Sequence, residues 1–350
     1  VSSKVKPPET RQQIIGEDAD LDALNLSYTL MLAKEIERIQ KLSSKERIKE
    51  AEDNGLVDQI NMTPAELKSM LGWERGKDNK WRYEIQDGKL TLEESGTFKL
   101  SDIYDSKDLY IAYPQLKDMK VKVDIREQGA NNAWFIPSDK SIEINAKPNS
   151  NITSTLVHEI QHAVQFIEGF ATGGNMESAF EAYKNTVTPK ERKAEIELKE
   201  EVKVLRSLTA VLEMAMYDFE DVSLDELLDL DFMQENWVEL GLKDVSDAVN
   251  IYDYVNVDNP GIINKLKIDE VDGNSLDLEE SFEVADSIAN EKQAEYSDKY
   301  STYGLYQRLA GEVEARNVEK RFGMTFEKRR ETLLEETEDR AREDQILLFA

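Results

Sequence analysis

The stretch Thr155–Phe166, TLVHEIQHAVQF, constrains this chain more than any other. It holds the only two histidines of 350 residues, His158 and His162, four apart with Glu159 between them. Apolar residues at 156, 160, 163 and 167 keep the 3–4 spacing of a helix. Asn and Ser just upstream offer caps, and Gly169 offers a stop. On a helix, residues i and i+4 share a face, so both imidazoles can present a ring nitrogen to one ion. Glu159 lies about 100° around the axis, within reach of a water on the ion's open side. Two histidines scattered at random fall four apart in about one such chain in 175, and with Glu in second place in roughly one in a thousand. The competing reading is a pair of ordinary core histidines.

The pattern is the HExxH arrangement of zinc peptidases. In that chemistry the ion polarises a water and the scissile carbonyl, and the carboxylate shuttles the proton to the leaving amine. The chain has no cysteine and no third histidine, so a zinc site has to be completed by Asp or Glu. Glu181, 19 residues after His162, is one candidate. Glu312 and Glu314, in LAGEVEAR, are two more.

The formal net charge is −28. Nucleic acid and anionic membranes would be repelled by most of such a surface. Residues 211–290 hold 22 Asp and Glu against 3 Lys, a net of −19. We read an acidic, mainly helical insertion there, either a solvated surface or a face for a basic partner. Disulfides and thiolate catalysis are excluded. No apolar run reaches the ~18–20 residues of a bilayer span, and the start VSSKVKPPETRQQ lacks a signal core. A cytoplasmic location is the expectation, and the missing initial Met suggests a piece of a longer polypeptide.

Along the chain, residues 1–17 read as a leader, and Leu24, Tyr28, Leu32, Ile36 and Ile39 mark a helix. WERGKDNKWRYEI reads as a hairpin turning at Gly76–Asp78. LYIAYPQL reads as a helix ended by Pro114. MKVKVDI and SIEINA alternate like strands, with AWFI as the hairpin partner of SIEINA. A last helical region spans 303–322, before a charged tail. The expected division is 1–50, leader and helix; 51–175, first part of a catalytic core; 176–295, the acidic insertion; and 296–350, second part of the core.

Several segments together (WERGKDNKWRYEI, LSDIYDSKDLYIAYPQLKDMKV, SIEINA, TLVHEIQHAVQFIEGFATGGN and YGLYQRLAGEVEARNV) resemble the zincin-like metallopeptidase domain of large polyvalent proteins of phages and mobile elements. The likeness covers about 55–175 and 300–345, and leaves out the acidic block. It implies an α+β fold with a small mixed sheet and an active-site helix, one Zn2+ per chain, His158 and His162 as ligands, and Glu159 as general base. For the third ligand it points to Glu312, with Glu181 and Glu314 as runners-up. Glu314 lies about 200° from Glu312 on a helix, so the two cannot face one ion. Members often carry a His in the region where this chain has Ser106 and Lys107, so an ancillary His is missing here. The activity implied is endopeptidase action on a protein or peptide, in a host cell or delivered with a phage or mobile element. The rival is an acidic, nucleic-acid-mimicking decoy on an idle scaffold.

Tyr303 or Tyr306, and Tyr306 above all, could donate to the oxyanion of a tetrahedral intermediate. SIEINA could be an edge strand that takes an extended peptide. Trp73 and Trp81 should be core. ATGGN follows a helix rather than a strand, which argues against a phosphate loop.

Overall fold

The computed structural model describes residues 21–92, 94–128, 131–148, 150, 152–218, 222–259, 262 and 278–349. The expected leader 1–17, the side chain of Leu24, and the cap candidates Asn149 and Asn151 lie outside the described residues. The fold is mixed α+β. It divides into two compact units: residues 1–182 with 306–350, and residues 183–305. These borders fall at 182/183 and 305/306, where the sequence suggested 175/176 and 295/296.

The first unit opens with helices α1 (Leu21–Gln40), α2 (Ser44–Asn54) and α3 (Pro64–Leu71). Thr63 and Glu66 form a reciprocal capping box at the start of α3, with Pro64 in the first turn. In α1 the buried side is Ala33, Ile36 and Ile39, while Tyr28, expected on that side, is exposed. These helices share a small core with Leu67, Leu71 and Trp73. The predicted hairpin forms from β1 (Trp73–Arg75) and β2 (Trp81–Tyr83), antiparallel, with Asn79 in the left-handed region at its turn. Lys68 and Arg321 are buried almost completely, and both pair with Glu84. Buried charges persist only when paired and hydrogen-bonded, so this cluster fixes residues 64–84 against the C-terminal segment.

The main sheet has four strands: β4 (Gly96–Lys99), β6 (Lys120–Ile125), β8 (Ser141–Ala146) and β7 (Asn132–Ile136), in that spatial order. A short ladder of β3 (Lys89–Leu90) with β5 (Tyr104–Asp105) lies apart. β6 and β8 pair in parallel, and β8 pairs with β7 as a hairpin. This corrects the expectation for SIEINA. It is an interior strand, and the edge is Asn132–Ile136. The physical reason is the parallel β6–β8 ladder, which occupies the second side of β8. Val121, Val123, Ile142 and Ile144 are buried against Leu156, Ile160 and Ala163 of the next helix.

That helix, which we call α6 (Thr153–Glu168) after α4 (Leu100–Ile103) and α5 (Lys107–Ala112), carries both histidines. Its N-cap is Ile152, without a side-chain cap, so the expected polar capping is not used among the described residues. It ends at Gly169, φ 63°, as its sequence predicts. The 303–322 region is two helices rather than one, Thr302–Gln307 and Ala310–Arg321, broken at Arg308–Leu309. At the break the main chain turns to the C-terminal segment: Ile346 N–H donates to Arg308 O, and Ala310 N–H to Ile346 O, each at 2.8 Å. The charged tail is thus built into the fold.

The second unit is helical in its described residues. Pro189–Asp218 packs on Leu278–Tyr300, and shorter helices at Leu230–Glu235 and Val245–Asp253 complete a core of Leu205, Leu208, Leu212, Ile251, Ala285 and Ala289. No helix of the described residues is long and apolar enough to cross a membrane.

Candidate metal centre

α6 packs against the Ala310–Arg321 helix and against β7. This brings together His158, His162 and Glu312, whose ligand-type atoms all lie within 4.8 Å of one another. His158 Nε2 is 3.6 Å from Glu312 Oε2, and His162 Nε2 is 3.6 Å from Glu312 Oε1. Ligand atoms about 2.1 Å from a central tetrahedral ion sit about 3.4 Å apart, so the two histidines and the carboxylate fit a metal's donor set. Among the described residues no other such group forms. Glu181 is exposed on Met176–Thr186 and is not part of the cluster. Glu314 is turned away, as the helix geometry requires, and pairs with Arg82.

Both imidazoles are oriented from behind. His158 Nδ1 meets Glu319 Oε1 at 2.5 Å, and His162 Nδ1 meets Gln165 Oε1 at 2.9 Å. With the Nδ1 proton donated there, each Nε2 lone pair points toward Glu312, the usual role of outer partners in a metal site. Gln165 is wholly buried; its amide also donates to Gly311 O at 2.9 Å and to Glu314 Oε2 at 3.2 Å. One side chain therefore ties a histidine of α6 to the helix of Glu312. Sequence reading missed Gln165 and Glu319. Their i+3 and distant positions carry no signal until the two helices are placed side by side.

Glu312 is buried and stands in the first turn of its helix, where the positive end of the macrodipole favours a carboxylate. It accepts the Gly174 N–H at 3.1 Å and the Tyr306 hydroxyl at 2.9 Å. Burial works against its charge. The two imidazoles beside it, each 3.6 Å away, outweigh that and hold its carboxyl well below the usual carboxylate range. Reciprocally, burial disfavours the charged imidazoles, yet Glu312 and Glu319 raise His158 to about 9, and Glu312 raises His162 as well. The cluster is a buried negative centre that draws positive charge, proton or metal.

The Tyr306 hydroxyl donates to Glu312, which puts it beside the cluster and makes it an orienting group for that carboxylate. Tyr303 is exposed. The ATGGN loop also gains a reason. Gly173 runs so close to the cluster that a Cβ there would meet His162 Cε1 at 2.5 Å and Glu312 Cδ at 3.0 Å.

Glu159 is nearly buried beside the cluster, and its Oε2 accepts the Phe135 N–H of the edge strand at 2.6 Å. Burial lifts its carboxyl above the ordinary value, with the neighbouring imidazoles opposing. Trp73 is core, but Trp81 is only half-buried.

The fold and site define an α+β unit with a two-histidine, one-carboxylate cluster at a helix–helix contact. Residues 33–93 match the family model Large polyvalent protein associated domain 23. The matched segment comprises the last two turns of α1, all of α2 and α3, the β1–β2 hairpin and β3, and all three cluster residues lie outside it. No curated protein and no solved structure matches the chain.

Proposed function

We propose that the protein is a zinc-dependent metallopeptidase of the zincin type, acting as an endopeptidase. The observation that carries this reading is the approach of Glu312 to both Nε2 atoms of the HExxH pair, at 3.6 Å each. His158, His162 and Glu312 would hold the ion. A bound Zn2+ supplies Lewis-acid polarisation of a water and of the substrate carbonyl. Glu159, held against the edge strand by the Phe135 N–H, takes the water's proton and returns it to the leaving nitrogen. Gln165, Glu319 and Tyr306 keep the three ligand side chains in place.

The edge strand supports a peptide substrate. Phe135 N–H points away from β8 toward Glu159, so strand alternation puts the Ala133 N–H and C=O on the same outer edge. An extended peptide can add there through main-chain hydrogen bonds beside the base.

Protein equilibrated with zinc and desalted should retain one Zn per chain by elemental analysis. Glu159→Gln should keep that metal and lose hydrolysis of unfolded casein by about 10²-fold or more. Folded protein that retains no zinc refutes the reading, as does a Glu159→Gln variant with full activity.

A further inference from the structure

On the other side of α6 from the candidate metal cluster, the first unit carries a half-open cavity of about 580 Å³. None of the cluster residues lines it. One wall is the face of α6 bearing Val157, Ile160 and Val164. The opposite wall comes from α1 and the β1–β2 hairpin, which belong to the segment 33–93 matched by the family model from Lys34 onward. The size lies within the range of small-molecule pockets, which bury an apolar body and fix it with a few polar groups.

Three features indicate what it takes. The lining is mostly aliphatic and aromatic, with Trp73, Tyr104 and Phe170 among its rings. Of the six lysines and arginines that line it, the four arginines are paired with carboxylates: Arg75 with Glu37, Arg82 with Asp78 and Glu314, Arg321 with Glu84 and Arg329 with Asp87. Lys34 and Lys80, also on its wall, pair with no carboxylate among the described residues; the Lys80 ammonium donates to Gly169 O and lies 6.0 Å from the Phe170 ring centroid. Finally, Arg75 and Trp81 are directly opposed in the hairpin ladder, with the guanidinium 4.1 Å over the indole, so a cation on an aromatic face forms one end of the wall.

We propose that this cavity is a binding site for a small amphipathic anion, an aromatic or aliphatic body with a carboxylate-like or sulfonate-like head. The body lies against Val157, Ile160 and Val164, and the head lies at the Arg75–Trp81 end of the hairpin with Lys34 and Lys80 supplying charge. The site is independent of the metal reading, since it uses neither histidine nor Glu312.

The test uses 1-anilinonaphthalene-8-sulfonate as probe, with the uncharged N-phenyl-1-naphthylamine as its control, titrated by fluorescence into the full chain. Saturable binding of one sulfonate probe per chain is expected, at least about fivefold tighter than the uncharged probe. Charge reversal at the two lysines, Lys34→Glu with Lys80→Glu, should weaken the sulfonate probe about tenfold and leave the uncharged one within twofold. Ala112→Trp, which fills the cavity from its half-buried rim, should remove binding of both while the circular dichroism spectrum is unchanged. Absence of one-to-one binding overturns the proposal. Equal affinity for both probes, insensitive to the lysine reversals, overturns the anionic head. Should Ala112→Trp not fold, the lysine variants decide alone.

Discussion

Gln165→Leu is the substitution that bears most directly on the proposed metal centre without touching a proposed ligand. Leu keeps nearly the same volume and helix preference, so packing survives. The loss is three hydrogen bonds, to His162 Nδ1, Gly311 O and Glu314 Oε2, from a side chain with no exposed surface. Glu314 retains Arg82, so its loss is small. The His162 Nδ1–H and the Gly311 carbonyl are left buried without partners, at roughly 1–3 kcal/mol each, or about 2–6 kcal/mol in all. His162 also loses the contact that fixes its tautomer, which typically costs 10–100-fold in metal affinity. Two assays separate the effects. Urea unfolding of metal-free protein reads the stability loss, and competition with a zinc chelator reads the affinity. Val164→Ala, one position away, serves as a packing control and should leave zinc affinity within about twofold while lowering stability by about 1–3 kcal/mol. If Gln165→Leu binds zinc like the wild type, the argument that this side chain orients His162 is wrong. If Val164→Ala loses as much affinity, the effect is general loosening.

Glu312→Ala should abolish retained zinc, whereas Glu181→Ala, on an exposed helix face, should leave it unchanged; elemental analysis of both decides the third ligand. Gly173→Ala should lower zinc affinity at least about tenfold, because the new Cβ has to displace His162 or Glu312. Asp78 gives a pH test. Burial opposes its charge, but hydrogen bonds from Arg82 and the Ala171 N–H lower its carboxyl pKa in the fold. A depressed folded pKa contributes stability that is present above the unfolded value of about 4 and is lost as the pH falls through the folded value. Asp78→Asn should therefore be less stable than wild type at neutral pH, and the gap in urea midpoints should close below about pH 4; a constant gap down to pH 2 contradicts the assignment.

Much of the local structure was legible because it depends on neighbours in sequence. The α6 helix follows from apolar spacing and a C-terminal glycine, and the strands 120–125 and 141–146 follow from alternation. The hairpin at 73–83 follows from its turn residues. What failed depended on partners. Whether SIEINA is edge or interior depends on which strand takes its second side, and alternation is the same in both cases. One helix over 303–322 satisfied the periodicity, yet Ala310 and Arg308 bond to Ile346 and break it. That break restarts the helix and places Glu312 in a first turn.

The sequence by itself determined that two histidines and a glutamate share one helix, and that any third protein ligand had to be a carboxylate. These are matters of helix period and residue inventory. The sequence put Glu312 forward, with Glu181 and Glu314 as runners-up, through resemblance alone; the tertiary structure brings Glu312, and not the other two, beside both histidines, because proximity across 150 positions comes from helix packing and leaves no periodic trace. It also gave Tyr306, Gln165 and Glu319 their partners, and set Lys34, Arg75 and Trp81 around one cavity. Such groups become a site only when distant segments share a volume from which water is excluded, and that depends on packing rather than on spacing along the chain.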